Sequence, residues 1–151
     1  MRSIEQAIKQ SKAFRNEYHK ASVNLIYSGK WIINFHNELF RQFTLTLQQY
    51  NILRILKGQS PKAATVKLIR ERMLDKASDA SRIVEVLRKK ELVQRDLNSD
   101  DRRKVNVFIT KKGINLLATI EKKSHILDNF LSSLSPKEIK LLNALLDKAR
   151  N

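Results

Sequence analysis

The sequence predicts a mainly α-helical fold carrying one small β-hairpin, and three observations predict it. Turn formers are scarce, with 3 Gly and 2 Pro in 151 residues, too few for an all-β chain that must reverse direction every several positions. Leu, Ile, Lys, Glu and Gln dominate most stretches, a composition that favours helix. The apolar period stays near 3.6 along the chain except after Leu92, where it changes to 2. A hydrophobic content of 42% argues against disorder, and the length suits one domain around one core.

The elements follow in order. Ser3-Ile4-Glu5-Gln6 reads as a capping box, with Ser3 as N-cap and Gln6 three residues on. From about residue 12 to residue 42 the chain holds one glycine, Gly29, and no proline. Val23, Ile26, Trp31, Ile32, Phe35, Leu39 and Phe43 recur there at helical spacing. A long helix with so wide an apolar stripe needs covering, and a second subunit is the natural cover. Thr46-Leu47-Gln48-Gln49 is a second capping box, opening a helix with Tyr50, Leu53 and Leu56 that Gly58 is expected to stop. Residues 59–62 then form a loop. Thr65 N-caps a short helix ending near Met73-Leu74. After a brief turn at Asp75, a helix runs from Lys76 or Ser78 to Lys90 and buries Ile83, Val86 and Leu87.

Beyond Leu92, Val105, Val107 and Ile109 alternate with Lys104, Asn106 and Phe108, the pattern of a strand. Residues 93–97 are its antiparallel mate, joined through the turn formers Asn98-Ser99-Asp100-Asp101. Such a hairpin is stable only when packed on helices. Helix resumes at Thr110 with Ile114, Leu117 and Ile120 on one face, continued by Ile126, Leu127 and Phe130. Ser135-Pro136-Lys137-Glu138 starts the last helix with an N-cap, a proline at the first position and Glu at the third.

Charge supplies the first functional constraint. With 30 Lys+Arg against 15 Asp+Glu the formal net charge is +15, a self-repelling excess that suits a polyanionic partner. The absence of cysteine excludes disulfides, thiol catalysis and Cys-ligated zinc. The N-terminus lacks the apolar core of a signal peptide, and no stretch approaches the length of a membrane span. The expected location is therefore the cytoplasm, without membrane attachment. There is no Gly-rich phosphate loop, nucleophile elbow or paired catalytic motif, so neither an enzyme nor a cofactor is expected. His19, His36 and His125 lack ligand spacing; only a cross-interface meeting of His36, Glu38 and His125 would make a metal site.

A short helix, a tight turn, a second helix and a basic hairpin form the arrangement that reads duplex DNA, because the second helix fits the major groove. The expected first turn of that helix holds Lys76, Ser78, Asp79, Ala80, Ser81 and Arg82. Ser78 and Ser81 can donate to bases or phosphates, Ala80 can meet a thymine methyl, and Arg82 can reach guanine or phosphate. Asp79, repelled by phosphate, accepts from a cytosine amino group or caps the helix. At the hairpin tip Arg102, Arg103 and Lys104 follow Asp101. Arginine there suits the negative potential of a narrow minor groove, and an adjacent aspartate can hold it by a bidentate pair.

These residues resemble the MarR (multiple antibiotic resistance regulator) family. The resemblance rests on Tyr50-Asn51-Ile52-Leu53-Arg54-Ile55-Leu56, Met73-Leu74-Asp75-Lys76, Ser81-Arg82-Ile83-Val84, Leu87 and Asp101-Arg102-Arg103, then six residues of strand, Thr110 and Gly113. It covers residues 49–113 well and the flanking helices more loosely. It implies a winged helix-turn-helix lobe over about residues 46–110, and helical dimerisation regions over about 3–45 and 111–150. The implied protein is a sequence-specific regulator, a ligand-responsive repressor, bound to double-stranded DNA as a homodimer. Its recognition helices would lie about 34–36 Å apart on a pseudo-palindromic operator. Arg103 would be the minor-groove arginine and Asp101 its positioning partner. Glu91 departs from the family pattern, which has glycine before Leu-Val. A left-handed conformation there would cost about 1 kcal/mol, so a differently built helix end is expected, with the register open by one residue.

If the helices pack as the resemblance implies, Tyr27, Trp31, Phe35 and Arg54 can line a crevice for a small aromatic effector; they equally suit core or dimer interface. The competing class is a basic nucleic-acid- or membrane-associated protein without operator specificity. Against it, only Phe108 interleaves the basic hairpin, where a single-strand binder stacks several aromatics.

Overall fold

The computed structural model describes residues 2–97 and 105–151. Among the described residues eight helices and three strands follow one another: α1 (Ile4–Ala7), α2 (Glu17–Arg41), α3 (Leu47–Gln59), β1 (Ala64–Thr65), α4 (Val66–Arg72), α5 (Ala80–Lys89), β2 (Val93–Leu97), β3 (Val105–Ile109), α6 (Lys111–Glu121), α7 (Ser124–Asn129) and α8 (Pro136–Ala149). The predicted start signals operate as local chemistry dictates. Capping boxes close at Ser3, Thr46 and Ser135, and the Thr65 and Thr110 side chains accept from the N–H groups of Leu68 and Gly113. Each satisfies donors that a helix start leaves without intrahelical partners.

Stops were less legible. Gly58 does not end α3, which runs on to Gln59 and closes where the Ser60 N–H reaches the carbonyls of Leu56 and Lys57. The apolar stripe read as one helix from Thr110 to Phe130 is divided between α6 and α7, with turns at Lys122 and Lys123. The sheet has three strands in the order β1-β3-β2, all antiparallel. Residues 93–97 and 105–109 pair as expected, with Val93 opposite Ile109. The added strand β1 sets Ala64 opposite Val107, and both are fully buried. Two residues carry no period, so nothing in the sequence marks them as strand.

One core lies where α3, α4, α5, α6 and the sheet converge. Phe40, Ile52, Leu53, Leu56, Ile69, Val84, Leu87, Val107, Leu117 and Ile120 are almost wholly excluded from solvent. The outer helices differ. α8 buries no residue, and α2 buries only Leu39 and Phe40 near its C-terminal end. Leu25, Ile26, Trp31 and Ile33 on α2, and Leu141 and Leu145 on α8, are between 46% and 60% exposed. Among the described residues, no helix is long and apolar enough to cross a membrane.

Three left-handed residues follow helix ends among the described residues. Lys9, Thr44 and Glu91 have φ of 54°, 54° and 61°, a region that L side chains avoid. At Glu91 the Leu92 N–H bonds the Leu87 carbonyl at 3.0 Å and the Glu91 N–H bonds the Arg88 carbonyl at 2.8 Å. This is a complete Schellman motif, with buried Leu92 against buried Leu87 as its apolar contact. The expected alternative helix end is therefore overturned: Glu91 adopts the conformation itself. The same pair of bonds recurs at Thr44, where the Leu45 N–H reaches the Phe40 carbonyl and Thr44 N–H reaches that of Arg41.

Candidate nucleic-acid interface

The lobe from α3 to β3 presents a helix, a turn and a second helix beside a hairpin. Met73 is buried, and the Leu74 N–H that follows it donates to Asn51 Oδ1 on α3 at 3.0 Å, tying the turn to the core. The Asp75 carboxylate then accepts from the Ala77 N–H at 3.1 Å and from the Ser78 hydroxyl at 2.6 Å. The Ser78 bond, with the backbone donors, holds the Asp75 carboxyl below its ordinary pKa. Asp79 is the N-cap of α5, its side chain accepting from the Arg82 N–H at 3.0 Å.

This geometry revises the predicted reading face. Lys76 and Ser78 belong to the turn and not to the helix, which starts at Ala80. The Ser78 proton already goes to Asp75, and Asp79 is occupied in capping. Ala80 is 3% exposed, part of the core, and has no methyl to offer a base. The buried stripe of α5 is Ala80, Val84 and Leu87, with Ile83 and Val86 only partly covered, so the helix is rotated relative to the predicted stripe. Ser81 and Arg82 stand exposed on the outward face, with Arg88 and Lys89 farther along it.

A groove of about 420 Å³ joins the two helices and collects Lys67 and Arg70 of α4, Lys76 and Ser78 of the turn, and Ser81. Lys67 and Arg70 were not singled out from the sequence, although their spacing of three puts both on one helix face. Glu85 was missed too. Its carboxylate accepts from Arg88 at 2.8 and 3.0 Å and from Arg95 of β2 at 3.2 Å, linking the helix to the hairpin. Arg88, then Arg95, lowers the Glu85 pKa to about 2. The i,i+3 spacing of Glu85 and Arg88 was the available signal. Asp101, Arg102, Arg103 and Lys104 lie outside the described residues.

The predicted effector residues separate. Trp31 and Phe35 converge on Phe130, with ring centroids 4.1 and 4.2 Å apart. His36 sits 6.5 Å from the same ring, and burial lowers its pKa. Tyr27 lies farther along α2 and is 43% exposed. Arg54 instead pairs with Glu121 of α6 at 2.8 Å and approaches Tyr50. Among the described residues, no group of three or more His, Cys, Asp or Glu side chains could hold a metal ion.

Core helices, a turn anchored by Asn51 and a three-stranded antiparallel sheet define a winged helix-turn-helix protein. The model for the MarR family matches residues 43–104, spanning α3 to β2 and the residues up to the start of β3. The HTH-type transcriptional regulator MgrA of Staphylococcus aureus is 29% identical over 125 residues, covering 82% of this chain and 83% of its own. A MarR transcription factor from Planctomyces limnophilus superposes with a TM-score of 0.70 at 29% identity, covering 89% of this chain and 98% of its own. The S. aureus MepR–DNA complex gives 0.72 at 22% identity, with 91% and 97% covered. Over residues 43–104 the chain is thus similar to the MarR family.

Proposed function

We infer that this protein is a sequence-specific, duplex-DNA-binding transcription regulator, acting in the cytoplasm as a homodimer and as a ligand-responsive repressor. One observation carries the reading. The exposed face of α5, with Ser81 and Arg82, borders a groove rimmed by Lys67, Arg70 and Lys76. Ser81 and Arg82 enter the major groove, and the three cations hold phosphates on either side. The MepR–DNA complex supports this, because a chain of the same fold forms a complex with DNA. Arg102, Arg103 and Lys104 at the wing tip take the minor groove, with Asp101 orienting Arg103. The uncovered apolar faces of α2 and α8 support the homodimer, since each needs a partner that this chain does not supply. Trp31, Phe35 and Phe130 form the aromatic wall on which an effector would stack, and Arg54, committed to Glu121, stands apart from it.

The test is fluorescence anisotropy on the chain's own promoter region and on random duplex, each across a salt series. Specific binding is expected to exceed random binding by about 10³-fold or more. Arg103→Ala, Lys67→Ala and Arg70→Ala should each lower the log–log salt slope by about one unit. Equal affinity for both duplexes would make the protein a nonspecific polyanion binder. A monomer by sedimentation at low micromolar concentration would remove the two-fold operator model.

A further inference from the structure

The cations around α5 fall into two groups. Lys67, Arg70, Lys76 and Arg82 have no carboxylate partner among the described residues, so their charges are available to phosphate or base. Arg88 and Arg95 differ. They line a groove of about 370 Å³ between α5 and the wing strands, together with Glu85, Asp96 and Val105. Two guanidiniums there meet two carboxylates, so the groove is formally neutral in a chain whose net charge is +15.

Glu85 does the holding. Its Oε1 and Oε2 accept from Nη2 and Nε of Arg88 at 2.8 and 3.0 Å, and Oε2 accepts again from Arg95 Nη1 at 3.2 Å. Asp96 is taken up by the Gln94 amide at 3.0 and 3.1 Å. A lone exposed ion pair would restrain an arginine little. Here the three side chains are between 33% and 50% exposed, and one carboxylate grips Arg88 by two prongs while serving Arg95 as well. Releasing either guanidinium gives up charge-assisted bonds of fixed geometry. Arg82 also lies three residues from Glu85, on its N-terminal side, and stays outside this network. The arginine placed to read bases is free, and the two beside the wing are held.

A carboxylate on this face is a disadvantage if attraction to polyanions is the only aim, because it repels phosphate and cancels cations. Its benefit lies in discrimination. Random duplex offers phosphate contacts alone, each adding about 0.9 to the log–log salt slope. A complex registered on bases by Ser81 and Arg82 has its phosphate contacts set by that register, and gains less from two further mobile arginines. Restraining Arg88 and Arg95 therefore weakens random binding more than specific binding. We propose that Glu85 is a specificity-determining residue, which keeps Arg88 and Arg95 off the phosphate backbone of random duplex. The proposal rests on the duplex-reading function inferred above.

Anisotropy titrations of random duplex and of the chain's own promoter region, each across a salt series, test it with three variants. In Glu85→Gln the random-duplex slope should steepen by about one to two units, with affinity for random duplex up by about tenfold at fixed salt. The promoter-to-random ratio should fall by about threefold or more. In Arg88→Gln/Arg95→Gln, with Glu85 in place, the random-duplex slope should move by less than about half a unit. Adding Glu85→Gln to that double variant should bring no gain. A role confined to bracing the wing would weaken binding without steepening the slope, so an unchanged or shallower slope in folded Glu85→Gln overturns the proposal. A loss of about two units in the double variant overturns it too, because the arginines would already hold phosphates. That variant keeps Glu85 and decides the question even if Glu85→Gln unfolds. Equal binding of both duplexes by the natural protein would overturn the inferred function instead, and the random-duplex slopes would still show whether Glu85 restrains the two arginines.

Discussion

Replacing Glu91 by glycine and, in parallel, by alanine isolates the left-handed helix end from the ion pair beside it. Both substitutions delete the bond to Lys112, where the Glu91 side chain is 79% exposed and the Lys112 side chain 59%; such a pair contributes about 0–1 kcal/mol. They differ in the backbone. At φ 61° an L residue carries a steric cost of about 1–2 kcal/mol that glycine lacks. Glycine's greater freedom in the unfolded chain offsets about 0.4–1 kcal/mol of that. The glycine variant should therefore exceed the alanine variant by about 1 kcal/mol, equivalent to about 2–4 °C in a chain of this size. Relative to the natural protein, glycine should be neutral to mildly stabilising. The Schellman bonds from Leu92 and Glu91 use only backbone atoms, so both variants keep them. Thermal melts followed by circular dichroism at one fixed protein concentration read the difference. If alanine melts with glycine or above it, the left-handed residue carries no strain and this account of the helix end is wrong.

Gly113 behaves in the opposite sense. A Cβ there would lie 2.4 Å from the Leu92 carbonyl oxygen and 2.8 Å from Ile109 Cγ1. Since backbone must yield, Gly113→Ala should destabilise by about 1–3 kcal/mol in chemical denaturation despite its better helix propensity. Asp79→Ala should cost about 1 kcal/mol by removing the cap of α5, while Asp79→Asn should retain stability. If Asn loses operator affinity at full stability, Asp79 touches a base as well as capping. Glu85, with its folded-state pKa near 2 against an ordinary 4.5, favours folding above the ordinary value and ceases to as pH falls through the lowered one. Melting curves from pH 6 to about 2 should show the natural protein ahead of Glu85→Gln at the upper end, with the gap closing at the lower. A constant gap would mean that charge pairing with Arg88 and Arg95 is not the cause.

What the sequence determined by itself is local. The capping boxes at Ser3, Thr46 and Ser135, the caps at Thr65 and Thr110, and the change of period after Leu92 each need only a few neighbouring residues to act. Helix starts, the hairpin and the net positive charge were therefore readable, and so was the resemblance to the MarR family. The tertiary structure decided what depends on distant surfaces. Burial of Ala80, Val84 and Leu87 fixed the rotation of α5 and withdrew Ala80 from the reading face. Apolar periodicity alone leaves such a rotation open when Ile83 and Val86 are alternatives. The groove joining Lys67 and Arg70 to Ser81, and the Glu85–Arg95 link, bring together residues from different elements. The helix end at Glu91 shows the physical reason most directly. Local preference opposes a left-handed glutamate there, and the buried contact of Leu92 with Leu87 outweighs it.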